Sequence, residues 1–276
     1  MRAHLVQLDI AWENPTENHE RVMQLLDRVE TAPGDLVVLP EMFATGFSGN
    51  RAAVNDKRGE TLGFLCELAK ERKVSVQAGR AHAACSVNEA CKIKNVMSVV
   101  TPSGRLLTEY SKRRLFPTEA ERVEAGSVCV VWPWDSWGDS GTPAPGIAAT
   151  ESLNVCPLIC YDLRFPELFA DGLRHGAEVF AVGACWPKMR AAHWRALLIA
   201  RAIECQAYVL GVNRTGVDPG PPHADSWVYH GGSIAVSPTG EVLGELGDAP
   251  GVLSVAMPRE PLDAWRRAFP AWKSRG

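Results

Sequence analysis

The sequence predicts an α/β fold, and three observations carry that reading. Short apolar or alternating runs recur about a dozen times along the chain, too many for a helical protein. Between them, Val22, Leu25, Leu26 and Val29 fall at the i, i+3, i+4, i+7 spacing of one helix face. Two corners also echo each other: Val100-Thr101-Pro102-Ser103-Gly104-Arg105-Leu106-Leu107 and Val236-Ser237-Pro238-Thr239-Gly240-Glu241-Val242-Leu243. In each, Pro presets φ and Gly supplies a positive φ, the chemistry of a tight antiparallel turn. The echo makes two sheets related by a pseudo-repeat the expected plan.

Taken in order, a first strand is expected over 4–10 and an amphipathic helix over 16–30, entered at Pro15-Thr16. A strand over 35–40 follows, then a helix over 60–72, where Leu62, Leu65, Leu68 and Ala69 repeat the helical spacing. Strands are expected over 74–79, 95–101, 105–110, 128–132 and 146–160. A helix over 166–175 starts at Phe165-Pro166, where the missing N–H of proline costs nothing. The remaining expected elements are a strand over 178–184, a helix over 190–206, and strands over 208–213, 232–237, 241–246 and 252–257. The Pro, Gly and Ser content of 133–146 reads as a loop, not a linker. The expectation is therefore one domain over 1–257 with a C-terminal extension over 258–276.

Composition narrows the class of function. With 46% hydrophobic and 22% charged residues, the 276-residue chain is neither disordered nor collagen-like. Its 29 Lys+Arg against 32 Asp+Glu leave −3, so no global field favours nucleic acid or an anionic membrane surface as a partner. Gln7 and Asp9 interrupt the first apolar run, unlike a signal-peptide core, and no run approaches the ~20 residues that span a bilayer. A soluble cytoplasmic protein is expected. The eight cysteines include no C-x-x-C pair and several lie in apolar runs, which suits reduced, buried thiols. His223 and His230 lack a convergent His/Cys/carboxylate spacing, so no metal is expected.

Three residues stand where chemistry is usually placed. Cys160 closes the run Val155-Cys156-Pro157-Leu158-Ile159-Cys160 just before a helix start, a strand-to-helix elbow that exposes a nucleophile beside free backbone N–H groups. Glu41 follows the apolar strand Asp35-Leu36-Val37-Val38-Leu39-Pro40, where desolvation favours a carboxylate base. Lys112 ends another strand, in Ser111-Lys112-Arg113-Arg114-Leu115-Phe116. Taken singly, each also reads blandly: a core thiol, a solvated loop glutamate, a solvated basic run.

Together these segments resemble the nitrilase, or carbon–nitrogen hydrolase, superfamily, whose Glu-Lys-Cys constellation lies in this chain order. Leu39-Pro40-Glu41-Met42-Phe43 with Thr45-Gly46-Phe47 resembles the glutamate segment, Lys112-Arg113-Arg114-Leu115-Phe116 the lysine segment, and Cys160-Tyr161-Asp162-Leu163-Arg164-Phe165-Pro166-Glu167 the cysteine segment. Similarity continues through Trp186-Pro187, Arg190, His193-Trp194, Ala200 to Glu204 and Gly211-Val212-Asn213-Arg214. The P-E-M-F-x-T-G-F form is similar to the ω-amidase branch, which acts on the terminal amide of small dicarboxylic acid monoamides.

The resemblance implies an αββα sandwich, no cofactor, a small amide substrate and a homodimer or larger even assembly. Trp194, Leu197, Leu198 and Arg201, at helical spacing, offer a face for that assembly or for the chain's own core. It also implies Cys160 as nucleophile, Glu41 as base, and Lys112 with the Tyr161 N–H as oxyanion donors. A second glutamate is expected nine residues beyond the lysine, which selects Glu121 over its neighbours Glu119 and Glu124. Phe43, Phe116 and Trp186 are expected as pocket walls. Arg164 is a candidate for a substrate carboxylate, or for pairing with Glu167 or a neighbouring subunit.

Four positions depart from the family pattern: Arg114 for His, Cys185 and Cys205 for Asn, and Gly232 for Asp. The two thiols are expected to take hydrogen-bonding capacity from the pocket. The stretch Val217 to Val228 reads as a lengthened loop beside it. An N-carbamoyl amino acid hydrolase, an aliphatic amidase, a nitrilase and a non-catalytic ligand-binding scaffold are the rival readings.

Overall fold

The computed structural model describes residues 1–83, 92–135, 152–219 and 227–275. One sheet orders β14 (Gly251–Ala256), β1 (Arg2–Gln7), β2 (Leu36–Val38), β3 (Ser75–Ala83), β4 (Ile93–Val100) and β5 (Leu106–Ser111). The other orders β6 (Trp132–Trp134), β7 (Leu153–Ile159), β8 (Val179–Ala184), β9 (Tyr208–Asn213), β12 (Ile234–Val236) and β13 (Val242–Glu245). Read from edge to edge the two follow one plan. Three parallel strands, β1-β2-β3 or β7-β8-β9, are flanked by a single antiparallel strand on one side and an antiparallel hairpin on the other.

The echoed corners close those two hairpins. Gly104 has φ 82° and Gly240 φ 88°. The Thr101 N–H donates to the Arg105 carbonyl at 2.9 Å, and the Ser237 N–H to the Glu241 carbonyl at 2.8 Å. The pseudo-repeat expected from sequence is thus present in the fold.

Burial on both faces of each sheet makes the sandwich. Leu5, Leu36, Val38 and Val99 of the first sheet pack on Val155, Val179, Ala181 and Leu210 of the second. The opposite faces are covered by helices, as central parallel strands require. Helices α1 (Pro15–Leu26) and α3 (Glu60–Arg72) lie over Val6, Val37 and Val76. Helices α4 (Pro166–Arg174) and α5 (Ala191–Cys205) lie over Leu158, Phe180, Val182 and Val209. The order of layers is αββα.

Several elements differ from expectation for identifiable reasons. The strand expected over 128–132 is β6, shifted to Trp132–Trp134, where two buried indoles alternate with an exposed proline on a sheet edge that tolerates it. Of the strand expected over 146–160, residues 146–151 lie outside the described residues and 153–159 form β7. The stretch expected as a loop after Val217 is flanked by an antiparallel hairpin, β10 (Thr215–Asp218) with β11 (Trp227–His230). A short helix, α2 (Arg51–Val54), had no apolar period to announce it.

The stretch expected as a C-terminal extension carries helix α6 (Arg259–Ala268), docked on the second sheet's end of the sandwich. Leu262 is buried in the inter-sheet core, Arg259 pairs with Glu178 at 2.6 Å, and Arg266 donates to the Gln206 and Ala177 carbonyls. One apolar anchor in a polar stretch is too little periodicity to read.

A half-buried polar cluster on the first sheet sets an acid limit to stability. Burial opposes ionisation of Glu109, but His82, the Ser98 hydroxyl and Arg80 outweigh it and hold the carboxyl down at about 2. A depressed carboxyl contributes stability above its unfolded value and loses it as pH falls toward the folded one. Glu109→Gln should therefore narrow the gap in stability between pH 7 and pH 3 by roughly 2 kcal/mol. Urea unfolding at the two pH values measures it; an unchanged gap would remove Glu109 from the account.

Candidate active site

Strand direction brings the candidate residues to one edge. β5 pairs antiparallel with β4, and β4 antiparallel with β3, so β5 runs the same way as β2. Glu41 beyond β2, Lys112 after β5, Cys160 after β7, Cys185 after β8 and Arg214 after β9 all stand past carboxyl ends, where open α/β sheets place their sites.

Two glycines, one in each sheet, make room for the glutamate. A Cβ on Gly79 of β3 would lie 2.5 Å from the Glu41 Cα, and one on Gly183 of β8 would lie 3.0 Å from the Leu39 carbonyl oxygen and 3.3 Å from the Glu41 nitrogen. The backbone then turns sharply, with Met42 at φ 45°. Cys160 repeats the device at φ 46°, opening a 3₁₀ turn over Cys160–Arg164. Non-glycine residues adopt this region at a cost of about 1 kcal/mol or more, so the surroundings must hold it. Asp162 does so: it accepts from the Ile159 N–H at 3.0 Å, the Arg114 N–H at 2.9 Å and the Tyr110 hydroxyl at 2.8 Å.

Glu41, Lys112 and a second glutamate form one buried network. Lys112 Nζ donates at 2.7 Å to Glu41 Oε1 and at 2.7 Å to Glu119 Oε2. Asn95 of β4 spans the same two carboxylates, its Nδ2 lying 2.8 Å from Glu41 Oε1 and 3.0 Å from Glu119 Oε1. The Cys185 N–H donates to the remaining Glu41 oxygen at 3.0 Å. Burial alone would lower the Lys112 pKa, but the two carboxylates hold it well above the usual lysine range. Burial, with Glu41 nearby, pushes the Cys160 thiol well above the ordinary thiol range, against the pull of Lys112. The resting arrangement is a neutral thiol beside a carboxylate and a fixed ammonium.

The structure corrects the choice of second glutamate. Glu119 is buried against Lys112, whereas Glu121 is exposed. The chain after Phe116 folds tightly back: the Glu119 N–H donates to the Phe116 carbonyl and the Phe116 N–H to Glu119 Oε2. The turn reaches Lys112 with a residue seven positions on, which a fixed nine-residue spacing overshoots. Glu119→Gln should cut kcat by about tenfold or more by loosening Lys112, while Glu121→Gln stays near parental activity. The opposite ranking in parallel assays would restore Glu121.

A cleft opens above Cys160, lined by Phe47, Phe116, Tyr161, Trp186, Arg164 and Arg190 among others. Phe116 and Trp186 therefore stand where the sequence reading put them, and Tyr161 borders the nucleophile. Phe43 does not: it is fully buried in the first sheet's outer core beside His19 and Phe64. Phe47, four residues later, faces the cavity and passes 5.5 Å below the Lys112 Nζ.

Among the departures, Cys185 sits beside Glu41, its thiol 3.2 Å from the Glu41 carbonyl oxygen, so the backbone N–H rather than an amide side chain serves that carboxylate. Asn213 supplies the amide chemistry nearby, accepting from the Trp186 N–H at 2.7 Å and donating to the Trp186 and Gly231 carbonyls. Cys205, the last residue of α5, is buried in the core and does not line the Cys160 cavity. Gly232 adopts φ 69° and accepts the Trp194 indole N–H on its carbonyl.

The face proposed for assembly on α5 is largely internal, with Trp194, Leu198 and Arg201 buried in their own chain. Among the described residues, Cys129, Asp171 and His175 bring possible metal-ligand atoms within 4.8 Å of one another, but they do not line the Cys160 cavity, and Asp171 pairs with Arg113 and Arg174. His223 lies outside the described residues. No helix among them is long and apolar enough to cross a membrane.

The fold and this buried Glu-Lys-Cys site define a hydrolase of the carbon–nitrogen type, and the chain belongs to the carbon–nitrogen hydrolase family, whose model matches residues 2–267. It is 33% identical over 280 aligned positions to a protein of Staphylococcus aureus named hydrolase in agr operon, covering 99% of this chain and 97% of that one. It is 31% identical to the 2-oxoglutaramate amidase of Bacillus subtilis, covering 97% and 94% of the two chains. A crystal structure of a CN-hydrolase superfamily protein from Xanthomonas campestris, with an arsenic adduct in its active site, superposes with a TM-score of 0.82 at 29% identity, covering 99% of this chain and 96% of the other.

Proposed function

We propose that the protein hydrolyses the terminal amide of a short dicarboxylic acid monoamide, releasing ammonia, with Cys160 as nucleophile. The observation that carries the reading is a thiol at a strained strand end above a carboxylate and an ammonium that are fixed to each other by a 2.7 Å hydrogen bond. The names of the relatives, 2-oxoglutaramate amidase and ω-amidase, support the substrate class.

In the first half-reaction Glu41 takes the Cys160 proton as Sγ bonds to the amide carbon. The Lys112 ammonium and the Tyr161 N–H, near the start of the 3₁₀ turn where N–H groups are not consumed by the turn itself, hold the oxyanion. Collapse breaks the C–N bond, and the proton on Glu41 passes to departing ammonia. Water then adds to the thioester while Glu41 takes its proton, and the returning proton restores the thiol as the carboxylic acid leaves. Glu119 and Asn95 act by position, keeping Lys112 and Glu41 in register throughout.

Ammonia release from a panel of a dicarboxylic monoamide, a carbamoyl amino acid, a neutral aliphatic amide and a nitrile tests the proposal. The monoamide should give the highest kcat/KM and the nitrile the lowest. Preference for the carbamoyl compound or the nitrile would move the reading to those enzymes, and no turnover of any member would leave the non-catalytic scaffold. An even assembly belongs to the same proposal; sedimentation showing only a 30.0 kDa species at micromolar concentration would end that part.

A further inference from the structure

We infer that Cys129 and Cys156 are a thiol pair that a hydroperoxide oxidises to a reversible disulfide, at a modification site apart from the Cys160 cavity. Neither residue lines that cavity. The inference goes beyond the amide-hydrolase reading and stands or falls separately from it.

Strand pairing brings the two cysteines together. Cys156 lies on β7, and Cys129 lies on the chain that leads into β6. The register of Trp132 with Val155 sets that chain antiparallel beside β7 and carries Cys129 alongside Cys156. Both side chains pack in the apolar cluster that includes Leu168, Phe169 and Leu173 of α4, and their thiols are hydrogen-bonded to each other. Their exposures differ. Cys156 is 1% exposed, and a Cβ on Gly172 of α4 would come within 3.1 Å of its sulfur. Cys129 is only half-buried. A solute therefore meets Cys129 directly and reaches Cys156 through it.

The surroundings of Cys129 favour its thiolate. Asp171 and His175, one turn apart at the end of α4, each bring a polar atom within 4.8 Å of the Cys129 sulfur. The negative charge of Asp171 is already answered: Oδ2 accepts from Arg113 at 2.6 Å and Oδ1 from Arg174 at 3.2 Å. With both oxygens on guanidinium groups, that carboxylate is not free to complete a metal site with Cys129 and His175. The Cys156 hydrogen bond, helped by His175 and Arg113, holds the Cys129 thiol below the ordinary range against burial and Asp171. The same hydrogen bond, with burial, pushes Cys156 well above that range. By contrast, burial pushes Cys66, Cys160 and Cys185 upward. A partly exposed thiolate in an electropositive setting, touching a protonated thiol, is the arrangement of an oxidation-sensitive cysteine and its resolving partner.

The chemistry takes two steps. The Cys129 thiolate attacks one peroxide oxygen, so that an S–O bond forms, the O–O bond breaks, and an alkoxide, or hydroxide from hydrogen peroxide, leaves to be protonated by water. The Cys156 sulfur then attacks the Cys129 sulfenic sulfur. An S–S bond forms, the S–O bond breaks, and the hydroxyl departs as water with the Cys156 proton. Two thiols have lost two electrons and two protons, and the peroxide has been reduced to an alcohol and water. Thiol exchange with a small dithiol reverses the bond.

The test treats the full-length Cys160→Ala protein with hydrogen peroxide at neutral pH, blocks remaining thiols with N-ethylmaleimide under denaturing conditions, and digests after glutamate without reduction. Cleavage at Glu124, Glu151 and Glu167 puts Cys129 in one peptide and Cys156 in another, which the Cys160→Ala background leaves with a single thiol. The two peptides should be found joined, two hydrogens lighter than their sum, and parted by dithiothreitol. At the dose that oxidises about half of an added free cysteine, at least half of Cys129 should be in this form. In Cys156→Ala the bond cannot form, and dimedone should capture Cys129 as the sulfenic acid. In Cys129→Ser, Cys156 should stay reduced; this variant decides the matter if Cys156→Ala fails to fold. Cys129 driven to sulfonic acid beside a free Cys156, a disulfide joining two chains, or both thiols intact once the free cysteine is consumed would each overturn the pair. So would oxidation of Cys156 in Cys129→Ser, and full protection of Cys129 by equimolar zinc would overturn it in favour of a metal site.

Discussion

The Cys160→Ala protein is expected to fold as the parent does and to release ammonia at least ~10⁴-fold more slowly, since a covalent mechanism loses its nucleophile outright. The substitution removes one sulfur from a half-buried strand end whose conformation is set by Asp162 and not by the thiol. Thermal unfolding within a few degrees of parental, together with lost turnover, supports the assignment. Retained turnover would transfer the nucleophile to another group, and Cys185, a second thiol lining the cavity, would be examined first. The Cys185 thiol is directed to the Glu41 carbonyl and pushed well above the ordinary range by burial and by Glu41.

Lys112→Met should have the second large effect, on two properties at once. The side chain is fully buried and is the ammonium between Glu41 and Glu119. Taking one partner from a buried ion cluster leaves uncompensated charge, at a typical cost of about 3–5 kcal/mol. Glu41 or Glu119 must then bind a proton, which removes the base or disturbs its neighbour, and the oxyanion loses its cation; kcat should fall by about 10³-fold or more. Denaturant unfolding and steady-state kinetics on one preparation measure both. A variant with lost turnover but parental stability would mean that the ammonium is not held as the geometry places it.

The parts of this molecule that were legible in its sequence are those governed by local periodicity. Helix α3 spans Glu60–Arg72, the range its Leu62, Leu65, Leu68 and Ala69 spacing predicts, and β9 spans Tyr208–Asn213 as its apolar run predicts. The two Pro-Ser-Gly and Pro-Thr-Gly corners located hairpins because φ there is dictated by residue type. The convergence of Glu41, Lys112 and Cys160 was legible because each lies just past a strand and within a recognisable segment.

What stayed hidden depends on contacts distant in sequence. Asn95 lies inside a strand, 54 positions from Glu41 and 24 from Glu119, and nothing local marks it as the bridge between them. Gly79 and Gly183 read as ordinary strand glycines until the other backbone passes within van der Waals reach. Glu119 and Glu121 differ only in how tightly the chain turns after Phe116, a matter of the Phe116 and Glu119 hydrogen bonds rather than of composition. Phe43 and Phe47 are four positions apart yet separated by the sharp turn at Met42, which sends one ring to the core and the other to the cavity.

The covalent intermediate is the most direct point of test for the whole account. Acid quench of the enzyme during turnover of a dicarboxylic monoamide, followed by peptide mass spectrometry, should find the acyl group, the substrate less ammonia, on the peptide containing Cys160. The adduct should be cleaved by hydroxylamine, as a thioester is, and absent from Cys160→Ala. An acyl group on any other residue, or sustained ammonia release with no acylated species at any quench time, would contradict it.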